Sequence, residues 1–156
     1  MPLAVLSSIE EADQHYDLVI VATKADQFID LSRIMDNNTI ILIIQNGLGV
    51  EDKYARRWPN NCILSAVTVI SCAQTSPGVI EHYSWTRIHI GPFKTKVSED
   101  VGMEKADLIV NMFKIGGIQD AIVCDHQELQ MVRWHKLAIN AAFSPTAVLA
   151  DGNYRH

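Results

Sequence analysis

The stretch TIILIIQNGLG, residues 39–49, joins an unbroken apolar run to a polar turn that contains two glycines. An apolar run without polar alternation is typical of a β-strand that is buried on both faces. A second run of this kind, DLVIVA at residues 17–22, precedes it, and residues 27–35 between them have the apolar spacing of a helix. Strand, helix and strand in this order predict a right-handed crossover and a parallel sheet.

The segments after residue 49 extend this sheet and end in a long helix. Because residues 50–57 have helical character, Asn46-Gly47 is interpreted as a strand-to-helix turn. The expected elements that follow are strands at 62–72, 79–83 and 87–90 in an antiparallel meander, an amphipathic helix at 99–114 and a strand at 118–123. A long helix then follows, with Asp125 as its cap and Pro145 as an interruption or kink. The predicted fold class is α/β, a parallel sheet with an antiparallel extension.

Composition excludes several classes of protein. The 156 residues carry a net charge of −5 and form no basic stripe, which argues against nucleic acid as a partner. No apolar run is long enough to cross a membrane, and the first residues lack the charge and length of a secretory signal. The three cysteines, an odd number, indicate reduced thiols in a cytoplasmic protein. Cysteines and histidines lack metal-ligand spacing, so no metal site is expected.

Three polar residues of the long helix could bind a ligand. Lys136, Asn140 and Ser144 follow one another at intervals of four residues. At about 100° per residue they share one stripe, so a cation, an amide and a hydroxyl project together. Such a set can hold a small anion by charge and directional hydrogen bonds. The alternative is that Lys136 and Asn140 are solvated surface residues.

A second set of polar residues follows the two apolar strands. Lys24 comes after the first strand and Asn46 after the second, and ligands of open parallel sheets bind at the carboxyl ends of strands. Gly47 would let a ligand approach the backbone closely, and the next helix offers free N–H groups to an anion. Taken singly, Lys24 can be solvated and Asn46-Gly47 a plain tight turn. Together with the helical stripe, these residues predict a polar, cationic cleft for a small carboxylate.

The chain resembles the ketopantoate reductase family (2-dehydropantoate 2-reductase, ApbA/PanE type). The similar segments are residues 17–25, 44–49, 77–82, 90–91 and 134–147. The resemblance implies that residues 1–124 form an incomplete Rossmann-type dinucleotide-binding domain. It also implies that residues 125–156 begin a truncated C-terminal helical substrate domain.

The resemblance further implies NADPH-dependent reduction of a 2-oxo acid to a 2-hydroxy acid, a step of pantothenate biosynthesis. In this scheme Lys136 is the general acid, and Asn140 and Ser144 bind substrate. Asn46 lies between substrate and cofactor, and Lys24 and Gly47 contribute to the cofactor site.

The sequence also departs from the family pattern. It contains no Gly-x-Gly-x-x-Gly turn for a pyrophosphate, and Ser144 and Asp151 stand where asparagines are usual. We therefore expect a truncated chain that associates with copies of itself through an exposed sheet edge or the last helix. Two alternatives remain. One is a cofactor-free isomerase, cyclase or small-molecule-binding protein on the same scaffold, and the other is a non-catalytic interaction subunit or relic.

Overall fold

The computed structural model describes residues 5–150. Its elements, in chain order, are a short 3-10 helix at Ile9–Glu11, β1 (Leu18–Val21), β2 (Ile40–Ile43), α1 (Asp52–Arg57), β3 (Ile63–Ser76), β4 (Val79–Pro92), α2 (Glu99–Ile115), β5 (Asp120–Val123) and α3 (His126–Leu149). The strands form one sheet in the order β1-β2-β3-β4-β5. The α/β class is confirmed. Asp151 and the rest of the segment 151–156 lie outside the described residues.

In the parallel half of the sheet, the central strand β2 is buried on both faces. β1 pairs with β2 and β2 with β3, all parallel, and every residue of β2 is buried. Ile41 and Ile43 pack into a core on one face with Tyr54 of α1. Leu42 packs on the other face, in a core that includes Ile109 of α2. The apolar run at 39–44 thus occupies a strand buried on both faces, as predicted. The same prediction was wrong for the run at 17–22, because β1 lies at the edge of the sheet: Val19 and Val21 are buried, but Ile20 on the other face is 45% exposed.

The antiparallel extension is one long hairpin. β3 and β4 each contain 14 residues and pair antiparallel, and β5 then pairs parallel to β4. The prediction of two separate strands at 79–83 and 87–90 was wrong, because β4 continues through the intervening residues. A bulge between Ile70 and Cys72 takes up the extra residues of β4 without ending the ladder.

The predicted helix at 27–35 is absent from the structure. These residues are irregular, with a turn at 32–34, although Leu31, Ile34 and Met35 are buried as helical spacing required. The backbone of this segment finds other partners: the Ser32 N–H donates to the Asp30 carboxylate at 3.0 Å, and the Ile34 carbonyl accepts from a distant backbone N–H at 2.9 Å. Such side-chain and long-range bonds compete with the helical ladder, so apolar spacing alone overpredicted the helix.

Helix α3 is continuous from His126 to Leu149. It begins at a capping box, in which the Asp125 carboxylate accepts from the Glu128 N–H at 2.8 Å and the Glu128 carboxylate accepts from the Asp125 N–H at 3.2 Å. The predicted interruption at Pro145 was wrong. Proline removes a single donor, and the turn around it is exposed, so water can reach the carbonyl that loses its partner.

Within residues 5–150, the helices all fall short of the combined length and apolarity that a membrane span requires.

Candidate active site

The turns that follow β1 and β2 are tied together by a buried amide. Gln45 comes directly after Ile44 and is 8% exposed. Its Nε2 donates to the Thr23 carbonyl at 3.1 Å, the Thr23 hydroxyl at 3.0 Å and the Lys24 carbonyl at 3.1 Å. Because one side chain holds both turns, the polar residues at this edge of the sheet have fixed relative positions.

Asn46 and Gly47 form the start of the turn after β2, as predicted. Gly47 has a φ of 121° and Gly49 a φ of 70°. These values lie in the region that favours glycine, so the two glycines allow a sharp change of direction that other residues would strain. The chain then enters α1, and the exposed Asn46 side chain is left at the carboxyl end of the sheet.

Lys136 of α3 reaches this turn. Its Nζ donates to Asn46 Oδ1 at 2.7 Å, across 90 residues of sequence. The side chain is only partly exposed, and this burial lowers the pKa of Lys136 below the usual lysine range, since a low-dielectric environment disfavours the ammonium form. The bond joins the polar stripe of α3 to the carboxyl end of β2. The sequence indicated these two features as the two sides of one cleft.

The cleft combines polar and apolar lining. Its residues are Gln45, Asn46, Gly47, Leu48, Ala66, Val67, Arg133, Lys136, Leu137 and Asn140. Four of the six predicted site residues are in this set. Lys136 supplies a positive charge and a transferable proton, and the two asparagines supply amide donors and acceptors. A small anion with a polarised carbonyl matches this set of groups.

Ser144 and Lys24 do not line the cleft. Ser144 is exposed one helical turn beyond Asn140, where α3 carries mostly exposed residues. The Lys24 side chain is also exposed, and its backbone carbonyl is the part that Gln45 holds. For both residues the predicted place in the chain is correct, but periodicity and strand ends do not report the distance from the cleft.

A buried ionic cluster beside the cleft was not predicted. Arg133 Nη2 lies 2.6 Å from Glu51 Oε1 and Nη1 lies 3.2 Å from Glu51 Oε2, and the Ser65 hydroxyl bonds both partners. The side chains of Arg133 and Glu51 are 8% and 1% exposed. The available signal was an arginine one turn before Lys136 on the same helix, but nothing in the sequence connects it to Glu51. Within residues 5–150, no three His, Cys, Asp or Glu side chains are grouped so as to hold a metal ion.

Comparison with known proteins identifies the family. The family model described as ketopantoate reductase PanE/ApbA matches residues 2–95, more than half of the 156-residue chain. The chain belongs to the ketopantoate reductase family.

Individual family members show how much of their own length this chain matches. The 2-dehydropantoate 2-reductases of Nostoc sp. and Halobacterium salinarum are 28% and 26% identical to it over 139 and 138 residues, which is 86% of this chain and 43% of each relative. The crystal structure of the Methylococcus capsulatus 2-dehydropantoate 2-reductase is 30% identical with a TM-score of 0.74, over 97% of this chain and 47% of that one. The chain thus spans slightly under half the length of these ketopantoate reductases.

The two kinds of comparison cover different parts of the cleft. The family-model match ends at residue 95, so it includes Asn46 and Gly47 but not α3. The Methylococcus capsulatus enzyme covers 97% of the chain and therefore extends into α3, which carries Lys136 and Asn140. Both sides of the cleft thus lie in regions that the chain shares with ketopantoate reductases.

Proposed function

We propose that this chain provides the reducing site of a ketopantoate reductase, in which a 2-oxo acid is reduced by NADPH to a 2-hydroxy acid with Lys136 as the general acid. The observation that carries the proposal is the 2.7 Å bond from Lys136 Nζ to Asn46 Oδ1, which places a proton donor at the carboxyl edge of the sheet. Family membership supports the same reaction, because the curated relatives are named 2-dehydropantoate 2-reductases.

Lys136 is suited to protonate a carbonyl oxygen. As the carbonyl carbon accepts a hydride, negative charge grows on the oxygen, and an ammonium beside it stabilises that charge mainly in the transition state. The lowered pKa of Lys136 means that its proton leaves more readily than that of an exposed lysine. Asn46 directs the ammonium, and Asn140, one turn further along α3, donates a hydrogen bond to the substrate.

The cofactor side of the site is assigned to Lys24, Asn46 and Gly47. Gly47 is exposed, and its positive φ favours glycine at this position. Because glycine has no side chain, a flat ring or an anion can approach the backbone closely at this edge of the cleft. The exposed Lys24 ammonium would neutralise part of the phosphate charge. NADPH, when bound, supplies the hydride.

This assignment divides the chain into two functional parts. Residues 1–124 would contribute the dinucleotide-binding side, and residues 125–156 would begin the helical substrate-binding side. Ser144 would then contact a part of the substrate more distant from the carbonyl than the part held by Asn140. We expect self-association through edge strand β1 or through α3, on which Met131 and Trp134 are 66% and 59% exposed.

Turnover of lysine variants tests the proposal. The oxidation of NADPH by ketopantoate and other 2-oxo acids would be followed for the wild-type chain, for Lys136→Met and for the control Lys114→Met, which removes an exposed lysine of α2. Because general acid catalysis contributes about 100- to 10,000-fold, Lys136→Met should lose that much in kcat while Lys114→Met retains wild-type turnover. Equal turnover in Lys136→Met, or no 2-oxo acid reduction by the wild-type chain, would overturn the proposal.

A further inference from the structure

We infer that Glu51, Ser65 and Arg133 form a positioning cluster that sets the place of the Lys136 ammonium in the cleft. The geometric part of this inference stands on the contacts of the chain alone. Its consequence for turnover rests on the proposed function.

Arg133 is the buried anchor of α3 nearest to Lys136. The buried residues of this helix are Leu129, Arg133 and Ala147. Leu129 and the partly buried Val132 pack against an apolar cluster, whereas Trp134 is 59% exposed, so Arg133 is the buried polar contact of this part of the helix. Arg133 precedes Lys136 by three residues, a rise of about 4.5 Å along the helix axis. The position of the lysine therefore depends on how Arg133 is held, in addition to the apolar packing of Leu129 and Val132.

The cluster fixes direction as well as distance. Two guanidinium nitrogens of Arg133 reach the two carboxylate oxygens of Glu51 at 2.6 and 3.2 Å, a bidentate arrangement. The Ser65 hydroxyl accepts from Arg133 Nη2 and donates to Glu51 Oε1. Because the guanidinium group of Arg133 is planar and is hydrogen-bonded at several points, it resists rotation of α3 about its own axis, whereas a single apolar contact would not.

Both ends of the Lys136–Asn46 bond are connected to this cluster. Glu51 follows the glycine turn that carries Asn46, at the start of α1. Ser65 lies on β3 directly before Ala66, which lines the cleft. The ion pair therefore joins α3, which carries Lys136, to the turn that carries Asn46. Through Ser65 it also joins α3 to β3, which forms part of the cleft wall. A shift of either element would change the distance between proton donor and acceptor.

A variant that removes both charges tests this role without leaving a lone buried charge. In Glu51→Gln/Arg133→Met, the glutamine oxygen remains available to the Ser65 hydroxyl, and methionine fills the space of the arginine stem. The control is Arg87→Met, which breaks an ion pair of the same 2.6 Å length between exposed residues of β4 and β5.

The readout is the titration of Lys136 in the 156-residue chain, followed by NMR of isotope-labelled lysine side chains and assigned with Lys136→Met. If the cluster positions the ammonium, its loss lets Lys136 move into solvent, and the pKa rises from its lowered value toward the usual lysine range. Arg87→Met should leave the titration unchanged. A folded double variant in which Lys136 titrates as in the wild type would overturn the inference.

This readout needs no turnover, so it separates the inference from the proposed function. If the chain reduces 2-oxo acids, the double variant should also lose about 100-fold in kcat, the scale of a misplacement of about 1 Å, with a much smaller change in KM. An unchanged kcat in that variant would equally count against the positioning role.

Discussion

Replacing Arg133 with methionine should destabilise the chain far more than replacing Arg87, although both arginines lie 2.6 Å from a carboxylate. The pairs differ in burial. The Arg133 and Glu51 side chains are 8% and 1% exposed, whereas those of Arg87 and Asp120 are 49% and 40% exposed. Arg133→Met leaves a buried carboxylate without its cation, which costs about 3–5 kcal/mol. Arg87→Met leaves a carboxylate that water can solvate, which costs about 0.2–1 kcal/mol.

Urea unfolding followed by circular dichroism measures this difference. With a slope of about 2 kcal/mol per molar urea, Arg133→Met should lower the midpoint by about 1.5–2.5 M and Arg87→Met by no more than about 0.5 M. Glu51→Gln/Arg133→Met should recover more than half of the loss, because no uncompensated charge remains. Equal midpoints for Arg133→Met and Arg87→Met would refute the assignment of the large cost to burial.

Three further predictions concern the titration of Lys136, the reactivity of the thiols and the packing of β4. Burial lowers the pKa of Lys136 in the folded chain, so between the folded and unfolded pKa values the unfolded chain binds more protons. The free energy of unfolding should therefore rise with pH across that alkaline window. Lys136→Met should remove this part of the rise, as urea titrations at several pH values would show. Burial raises the pKa of Cys62 to about 11, so iodoacetamide at neutral pH should label the exposed Cys72 first and spare Cys62 until the chain unfolds, as mass spectrometry of the peptides would show. A Cβ added at Gly91 would lie 2.5 Å from a backbone carbonyl oxygen, so Gly91→Ala should lower the free energy of unfolding by about 1–3 kcal/mol. A Cβ added at Gly116 would meet no atom closer than 3.4 Å, so Gly116→Ala should lower it much less in the same urea assay.

Apolar runs and strand ends allowed much of the fold and part of the site to be predicted. The run at 39–44 is continuous because a strand covered on both faces excludes polar residues, and this pattern survives in a single sequence. The run at 17–22 has the same pattern although Ile20 of edge strand β1 is 45% exposed, so apolar continuity predicted the strand but not the exposure of its faces. Asn46 and Lys136 were found because strand ends and helical periodicity place polar groups by rules that need no knowledge of tertiary contacts.

The remaining features depend on contacts between distant residues. Arg133 and Glu51 are separated by 82 residues, so neither periodicity nor spacing pairs them. The irregular segment 27–35 is stabilised by bonds that compete with a helix, and apolar spacing does not report that competition. Helical periodicity places Ser144 on the same stripe as Lys136 and Asn140, but periodicity does not show where along the helix the ligand site ends. The cleft is bounded by the sheet, and Ser144 lies beyond its lining.

The most direct test of the central claim is to map binding on the isotope-labelled 156-residue chain by NMR. NADPH would be added first and a 2-oxo acid second, while the side-chain amide signals of Asn46 and Asn140 and the backbone signal of Gly47 are followed. We predict saturable shifts of Asn46 and Gly47 with the cofactor and a further shift of Asn140 with the acid. Signals at these three positions that do not move at saturating ligand, or shifts confined to the distal part of the β3–β4 hairpin, would contradict it.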